Sequence, residues 1–238
     1  MNKILIVSVI LILSLPSAKA QGMKLDEILG KYYKNAGFDK LQDAKTIIMT
    51  GTMTQQTIMP LKIIKKRPDK YMQEFDVQDQ TGYQVYDGQM AWMTAPWTPD
   101  PRPQVMPEDR TVDLRSRADF DGPIYNWKAK GHKAELEGVD TLGNAKAYKI
   151  KLTRADAAIE YYFIDSESFL LIKKSSFRKM QGQDVEIENF FKDFRTINGI
   201  MFSFESENLM GGNPYSLIQY DTIEVDAEVS DKLFAMPE

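Results

Sequence analysis

Apolar residues at Leu25, Ile28, Leu29, Tyr32, Tyr33 and Ala36 recur at spacings of three and four, the mark of one stripe on an amphipathic α-helix. Gly37 follows where a helix commonly stops, and the residues around Leu41 suit a further half-turn. From Lys45 the period changes to two. In Thr46–Thr54, Ile47, Met49, Gly51 and Met53 alternate with Ile48, Thr50 and Thr52. In Tyr71–Gln78, Tyr71, Phe75 and Val77 alternate with Glu74, Asp76 and Gln78, as in a half-buried strand. Leu61–Lys66 and Gly82–Tyr86 read as further strands. Tyr86-Asp87-Gly88-Gln89 reads as a hairpin turn, since Asp-Gly tolerates positive φ angles, with Met90–Thr94 as the returning strand.

The pattern then breaks. Pro96, Pro99, Pro101, Pro103 and Pro107, together with Trp97, predict a stiff surface loop, because proline at that density forbids helix and central strand. Glu108–Phe120 reads as a short helix capped by Asp109, with Val112, Leu114 and Ala118 as its apolar content. Strands resume at His132–Gly138, Ala147–Thr153, Ile159–Asp165, Phe169–Arg178, Val185–Arg195, Ile200–Glu207 and Tyr215–Glu224, with glycines at hairpin spacing. There is no Ser/Gly-rich linker and no internal repeat. The predicted fold class is therefore mainly β (α+β), one strongly curved antiparallel sheet of about ten or eleven strands with two helices packed on or into it.

The N-terminus changes where such a chain would reside. Met1-Asn2-Lys3, the apolar run Ile4–Leu15 and the Ala18-x-Ala20 pattern predict a signal peptide over residues 1–20, with the mature chain starting near Gln21 as a single domain, 21–238. The run is shorter than the ~20 residues a spanning helix needs. The sequence contains no cysteine, which excludes disulfides, thiolate metal sites and cysteine nucleophiles, and also lipidation of the mature N-terminus. Without Lys3 and Lys19 the chain has 28 basic and 34 acidic residues, a net charge of about −6, which argues against nucleic acid. His132 is the single histidine, so a Ser-His-Asp arrangement or a two-His metal site is hard to build. Asp119-Phe120-Asp121-Gly122 lacks the further ligands of a calcium loop and suits a helix end and turn better. The expectation is a binding protein, without enzymatic activity, cofactor or metal.

Two stretches carry a family resemblance. Lys66-Arg67-Pro68-Asp69-Lys70-Tyr71 is similar to the Lys-Arg-Pro-x-x-aromatic turn of the LolA-like periplasmic lipoprotein carriers. Asp87-Gly88-Gln89-Met90-Ala91-Trp92-Met93 with Pro96 is similar to the hairpin that follows it in that family. The order of elements resembles the family over nearly the whole mature chain. The longer Ala95–Asn126 stretch and the ending Val225–Glu238 bring it nearer to the broader outer membrane lipoprotein-sorting relatives. The resemblance implies an open half-barrel with a hydrophobic concave face covered by helices acting as a lid. It further implies a periplasmic monomer that carries an acylated lipoprotein or other lipid towards the outer membrane, handed on by inner- and outer-membrane lipoprotein-transfer proteins. A lipid or lipoprotein sensor, or interaction module, on the same fold is the alternative.

A lipid cavity needs adaptable apolar side chains, and methionine supplies them. The expected lining is Met49, Met53, Tyr71, Phe75, Trp92 and Trp97, with Val185 and Ile187 on the far side, although each taken alone also reads as ordinary core. By the resemblance Arg67 holds the lid, donating to carbonyls at a helix C-terminus near Ala36-Gly37. A solvated turn arginine beside Lys65 and Lys66 is the other reading.

Overall fold

The computed structural model describes residues 23–237 apart from Gln181, so the signal-peptide expectation lies outside the described residues. Three α-helices are present, α1 (Leu25–Ala36), α2 (Phe38–Asp43) and α3 (Glu108–Ala118). The strands are β1 (Thr46–Thr54), β2 (Ile58–Lys66), β3 (Lys70–Val77), β4 (Gln80–Tyr86), β5 (Ala91–Thr94), β6 (Gln104–Val105) and β7 (Lys133–Leu142). They continue with β8 (Ala145–Thr153), β9 (Ile159–Asp165), β10 (Leu171–Met180), β11 (Gln183–Ile197), β12 (Ile200–Met210) and β13 (Asn213–Val225). All are antiparallel in one sheet of order β6-β5-β4-β3-β2-β1-β13-β12-β11-β10-β9-β8-β7. Its two edges, β6 and β7, do not meet, so the sheet is curved and unclosed.

The period-two stretches became strands because one face of each could be buried. The half-turn at Leu41 is a helix of its own, and a two-residue strand, Gln104–Val105, forms inside the proline-rich stretch. That strand lies at the sheet edge, the place where neighbouring prolines leave no ladder donor missing. Asp109 does not cap α3. The residue before the helix is Pro107, in extended conformation with no side-chain cap. Asp109 lies inside the first turn, where its charge complements the helix dipole instead. Gly37 does end α1, at φ +74°, and a Cβ there would meet the Gly199 carbonyl oxygen at 2.1 Å, so the α1–α2 corner abuts the β11–β12 turn.

Topology explains why the open face is covered. Consecutive elements β6 and β7 lie at opposite edges of the sheet, so the chain between them must cross its whole open face. Residues 106–132, α3 among them, make that crossing. On the inner face α3 packs Leu114 and Ala118 against Leu61, Ile63, Tyr71 and Tyr86. The α1 stripe Ile28, Leu29 and Tyr32 packs with Ile150, Leu152, Tyr162 and Ile164 of β8 and β9. Ile124 and Tyr125 of the crossing segment join α1: Tyr33 Oη donates to the Ile124 carbonyl at 2.7 Å and Phe38 stacks on Tyr125 at 4.7 Å.

The outer face is also closed in one place. Residues 226–237 fold back over β2–β5, where Val229 and the fully buried Phe234 cover Ile64, Met72, Val85 and Trp92. Asp231 pairs with both Lys66 and Lys70, at 2.9 and 3.0 Å.

Candidate functional site: the lid and the cavity beneath it

A cavity of about 260 Å³ lies on the inner face between α1–α2, β1, β2 and β12. Tyr32, Ala36, Phe38 and Leu41 come from the two helices, Ile47 and Met49 from β1, and Ile200 and Phe202 from β12. Phe120 of the crossing segment closes it. The lining is apolar except for the phenol of Tyr32, which burial pushes well above its ordinary value and keeps neutral, and the amine of Lys65.

Two side chains at the end of β2 hold the lid elements to the sheet. Arg67 Nε donates to the Ala44 carbonyl and Nη2 to the Leu41 carbonyl, each at 2.8 Å, so the end of α2 is bound to β2. The same guanidinium grips Asp121 with both terminal nitrogens and lies 4.2 Å over the Phe120 ring. One planar fork thus joins β2, α2 and the crossing segment, which an ammonium could not do. The acceptor carbonyls belong to α2 and its C-cap, four and seven residues beyond Gly37. Lys65, two residues earlier on the same face, donates to the Asp119 carbonyl at 3.0 Å and reaches the Phe120 carbonyl at 3.4 Å. Burial lowers its amine to about 8, against the opposing effect of Asp119 and Asp121.

A larger cavity of about 350 Å³ lies on the other side of the crossing segment, walled by Arg115, Asp119, Lys130, His132 and Arg154. Its charges are paired, Lys130 with Asp119 of the same wall at 2.7 Å, and Arg154 and Arg115 with Asp156 and Glu108 outside it, at 3.0 and 3.3 Å. His132 accepts from the Ala155 N–H through Nδ1, and burial together with Arg154 and Lys130 holds its imidazole below the ordinary value, hence neutral.

No family model matches the sequence, and no curated protein matches it. Solved structures do. A LolA superfamily protein of Nitrosomonas europaea superposes with a TM-score of 0.58 at 14% identity, over 90% of this chain and 98% of its own. The fold is LolA-like. A DUF1329 family protein of Desulfovibrio piger shares this LolA-like fold at TM-score 0.61 and 12% identity, over 87% of this chain and 97% of that one. So does a domain of Vibrio parahaemolyticus described as outer membrane lipoprotein-sorting, at TM-score 0.58 and 6% identity, over 86% and 97%.

Within the LolA-like sheet the residues anticipated as lining are scattered. Met49 lines the cavity. Met53 and Tyr71 share its face but pack under α3, where Tyr71 is ordinary core, 3% exposed. Phe75 lies further along β3 with the Trp97 ring 5.4 Å away, edge on; Trp97 sits over Gly82, where a Cβ would come within 2.4 Å of the ring. Trp92 is on the opposite face. It is paired with Val85 in the outer-face cluster, and its indole N–H donates to the Phe234 carbonyl at 2.9 Å. The reason is parity: Tyr86, opposite Ala91, faces inward, so its neighbour Trp92 faces out. Val185 and Ile187 lie towards the β10–β11 hairpin, beyond Asn189, away from the end of β11 that adjoins the cavity.

Sequence reasoning passed over Lys65, Phe120 and Phe202. Lys65 had a signal, its two-residue spacing from Arg67 and from Ile63 on a strand with an apolar inner face. Phe120 had none, since what places it is the crossing segment's path over the sheet.

The inner face is not apolar throughout. Across β9–β13 the register brings Glu160, Lys174, Asn189, Asn208 and Ser216 to that side. Burial would raise the Glu160 carboxyl, yet Lys174 at 3.0 Å, the Tyr162 hydroxyl and Arg154 together hold it below the usual carboxylate range. Asn208 donates to Ser216 at 2.9 Å. The members of this polar band bond to one another.

Proposed function

We propose that the protein is a periplasmic carrier, exported by residues 1–20 and working as a single domain, that shelters an acyl chain of a lipoprotein or related lipid beneath its lid for transfer to the outer membrane. The observation that carries this reading is the apolar cavity between α1–α2 and the sheet, bordered by a crossing segment that lies outside the sheet ladder and is held by side-chain packing and by hydrogen bonds from Lys65 and Arg67. Acyl binding has ample driving force in such a space, since each buried methylene contributes about 0.8 kcal/mol. Shape specificity is secondary, and Met49 supplies a deformable wall. Arg67 acts in this reading as the latch that is released when cargo enters or leaves. The sorting-domain description of the Vibrio parahaemolyticus protein supports the assignment by fold.

The test is native mass spectrometry of the mature protein purified from a Gram-negative periplasm, with lipid analysis of whatever dissociates. The expected result is co-purified acyl lipid or acylated lipoprotein, lost in Phe202→Asp and retained in Trp92→Ala, whose side chain lies on the outer face. An empty wild-type protein that also ignores fluorescent fatty-acyl probes would overturn the carrier and leave an interaction module.

A further inference from the structure

The lid cavity has one charged lining group, and its electrostatics are unbalanced. Five charged side chains meet there: Lys65, Arg67, Lys130, Asp119 and Asp121. Arg67 takes Asp121, and Lys130 takes Asp119. Among the described residues Lys65 forms no ion pair; its amine donates to two carbonyls, at 3.0 and 3.4 Å, and lies 5.5 Å over the Phe120 ring. An ammonium has three hydrogens, so one remains without a described acceptor at the wall of an apolar cavity. Lys65 is half-buried, and holding a cation at an apolar wall without a counter-charge of its own is costly beyond what tying two carbonyls returns.

We propose that the ligand brings the missing charge: the cavity takes a lipid with a free carboxylate, of the fatty-acid class, and Lys65 pairs with that carboxylate while the hydrocarbon lies against Met49, Phe120 and Phe202. This rests on the carrier reading and narrows its ligand. The match is to a monoanion. A phosphate monoester would bring up to two charges against one uncompensated ammonium, leaving an excess negative charge, and a phosphodiester carries its single charge between two ester arms where a carboxylate ends the chain. A neutral acyl ester would leave the ammonium as it is now. The desolvation that lowers the amine to about 8 leaves it protonated at neutral pH, where a fatty carboxylate is ionised.

The experiment compares myristate with methyl myristate, on the full mature chain after lipid removal, by calorimetric titration at pH 7. Wild type is expected to hold the free acid about tenfold or more tightly than the ester, the effect of one charge-assisted contact in a desolvated site. Lys65→Met should lose the preference for the acid over the ester. Equal affinity of wild type for acid and ester would overturn the carboxylate proposal and leave the apolar cavity standing, as would a preference that survives in Lys65→Met. Binding of neither compound would instead bring down the acyl-cavity reading itself. Should Lys65→Met lose the ester too, through a loosened lid, the wild-type comparison alone decides.

Discussion

Arg67 touches three stretches of chain that share no strand pairing, and its removal strands the partly buried Asp121 carboxylate as well as two helix-end carbonyls. Arg67→Ala should therefore destabilise the fold by about 3 kcal/mol, the cost of leaving one partner of a desolvated pair behind. Arg67→Lys should recover less than half of that, because one ammonium cannot meet Asp121, Leu41 and Ala44 together. Urea unfolding of the three proteins reads both, and a lysine variant as stable as wild type would refute the fork. Lys65 gives a pH signature. Its amine loses its proton near 8 in the folded protein but near ~10.4 in the unfolded chain, so between those values the unfolded state holds more protons. Stability then rises with pH across that window. The melting temperature of wild type relative to Lys65→Met should climb from about pH 7.5 to about 9.5, and a flat difference would place the amine in water.

At the scale of elements, the crossing segment and the C-terminal segment do opposite jobs on opposite faces. Beyond α3, the crossing segment is tied to the sheet by Arg67 and Lys65, polar contacts that can exchange for water, and packs there through Phe120 and Ile124. The C-terminal segment is anchored by Phe234, fully buried against Trp92, Val85 and Ile64. Phe234→Ala should cost about 3–5 kcal/mol through the cavity it leaves. It should also raise binding of a hydrophobic dye, since the outer patch loses its cover, while leaving acyl affinity unchanged. Loss of acyl binding in this variant, with the protein still folded, would mean that the two faces communicate. Hydrogen exchange should find the backbone of residues 119–131 opening before that of β2 and β3, because sub-global opening follows the weaker attachments.

For the whole molecule, the unclosed sheet gives a concave face apolar on its two flanks and polar in the strip Glu160–Lys174–Asn189–Asn208–Ser216 between β9 and β13. Under the proposed function, a hydrocarbon chain at the α1–α2 cavity would meet apolar wall towards α3 and hydrogen-bonded side chains towards β10 and β11. Bound myristate at about a hundred times its dissociation constant should stabilise the native state by about 2.7 kcal/mol, read as an upward shift of the melting temperature. Replacing Phe202 by Asp should abolish the shift; an undiminished shift would put the lipid elsewhere on the sheet.

The helix Leu25–Ala36, the strand Thr46–Thr54 and the Asp87-Gly88 hairpin were legible because each rests on a local signal: a period of 3.6, a period of two, or a residue that tolerates positive φ. The same local signals predicted one curved, antiparallel, β-rich sheet, its openness coming from the family resemblance; of the thirteen strands found, only the two-residue edge strand β6 answers to none of the stretches read as strands, because two residues have no periodicity to detect. Local pattern states which residues of a strand share a face but not which face that is. Hence Met49 and Trp92 looked alike in the sequence, while the pairing of β4 with β5 and the fold-back of Phe234 put Trp92 outside. The cavity, the Arg67 fork and the unpaired charge of Lys65 were decided by tertiary structure alone. They depend on a crossing between two distant sheet edges that brings residues 119–121 against residues 41–67, and no spacing along the chain encodes that meeting.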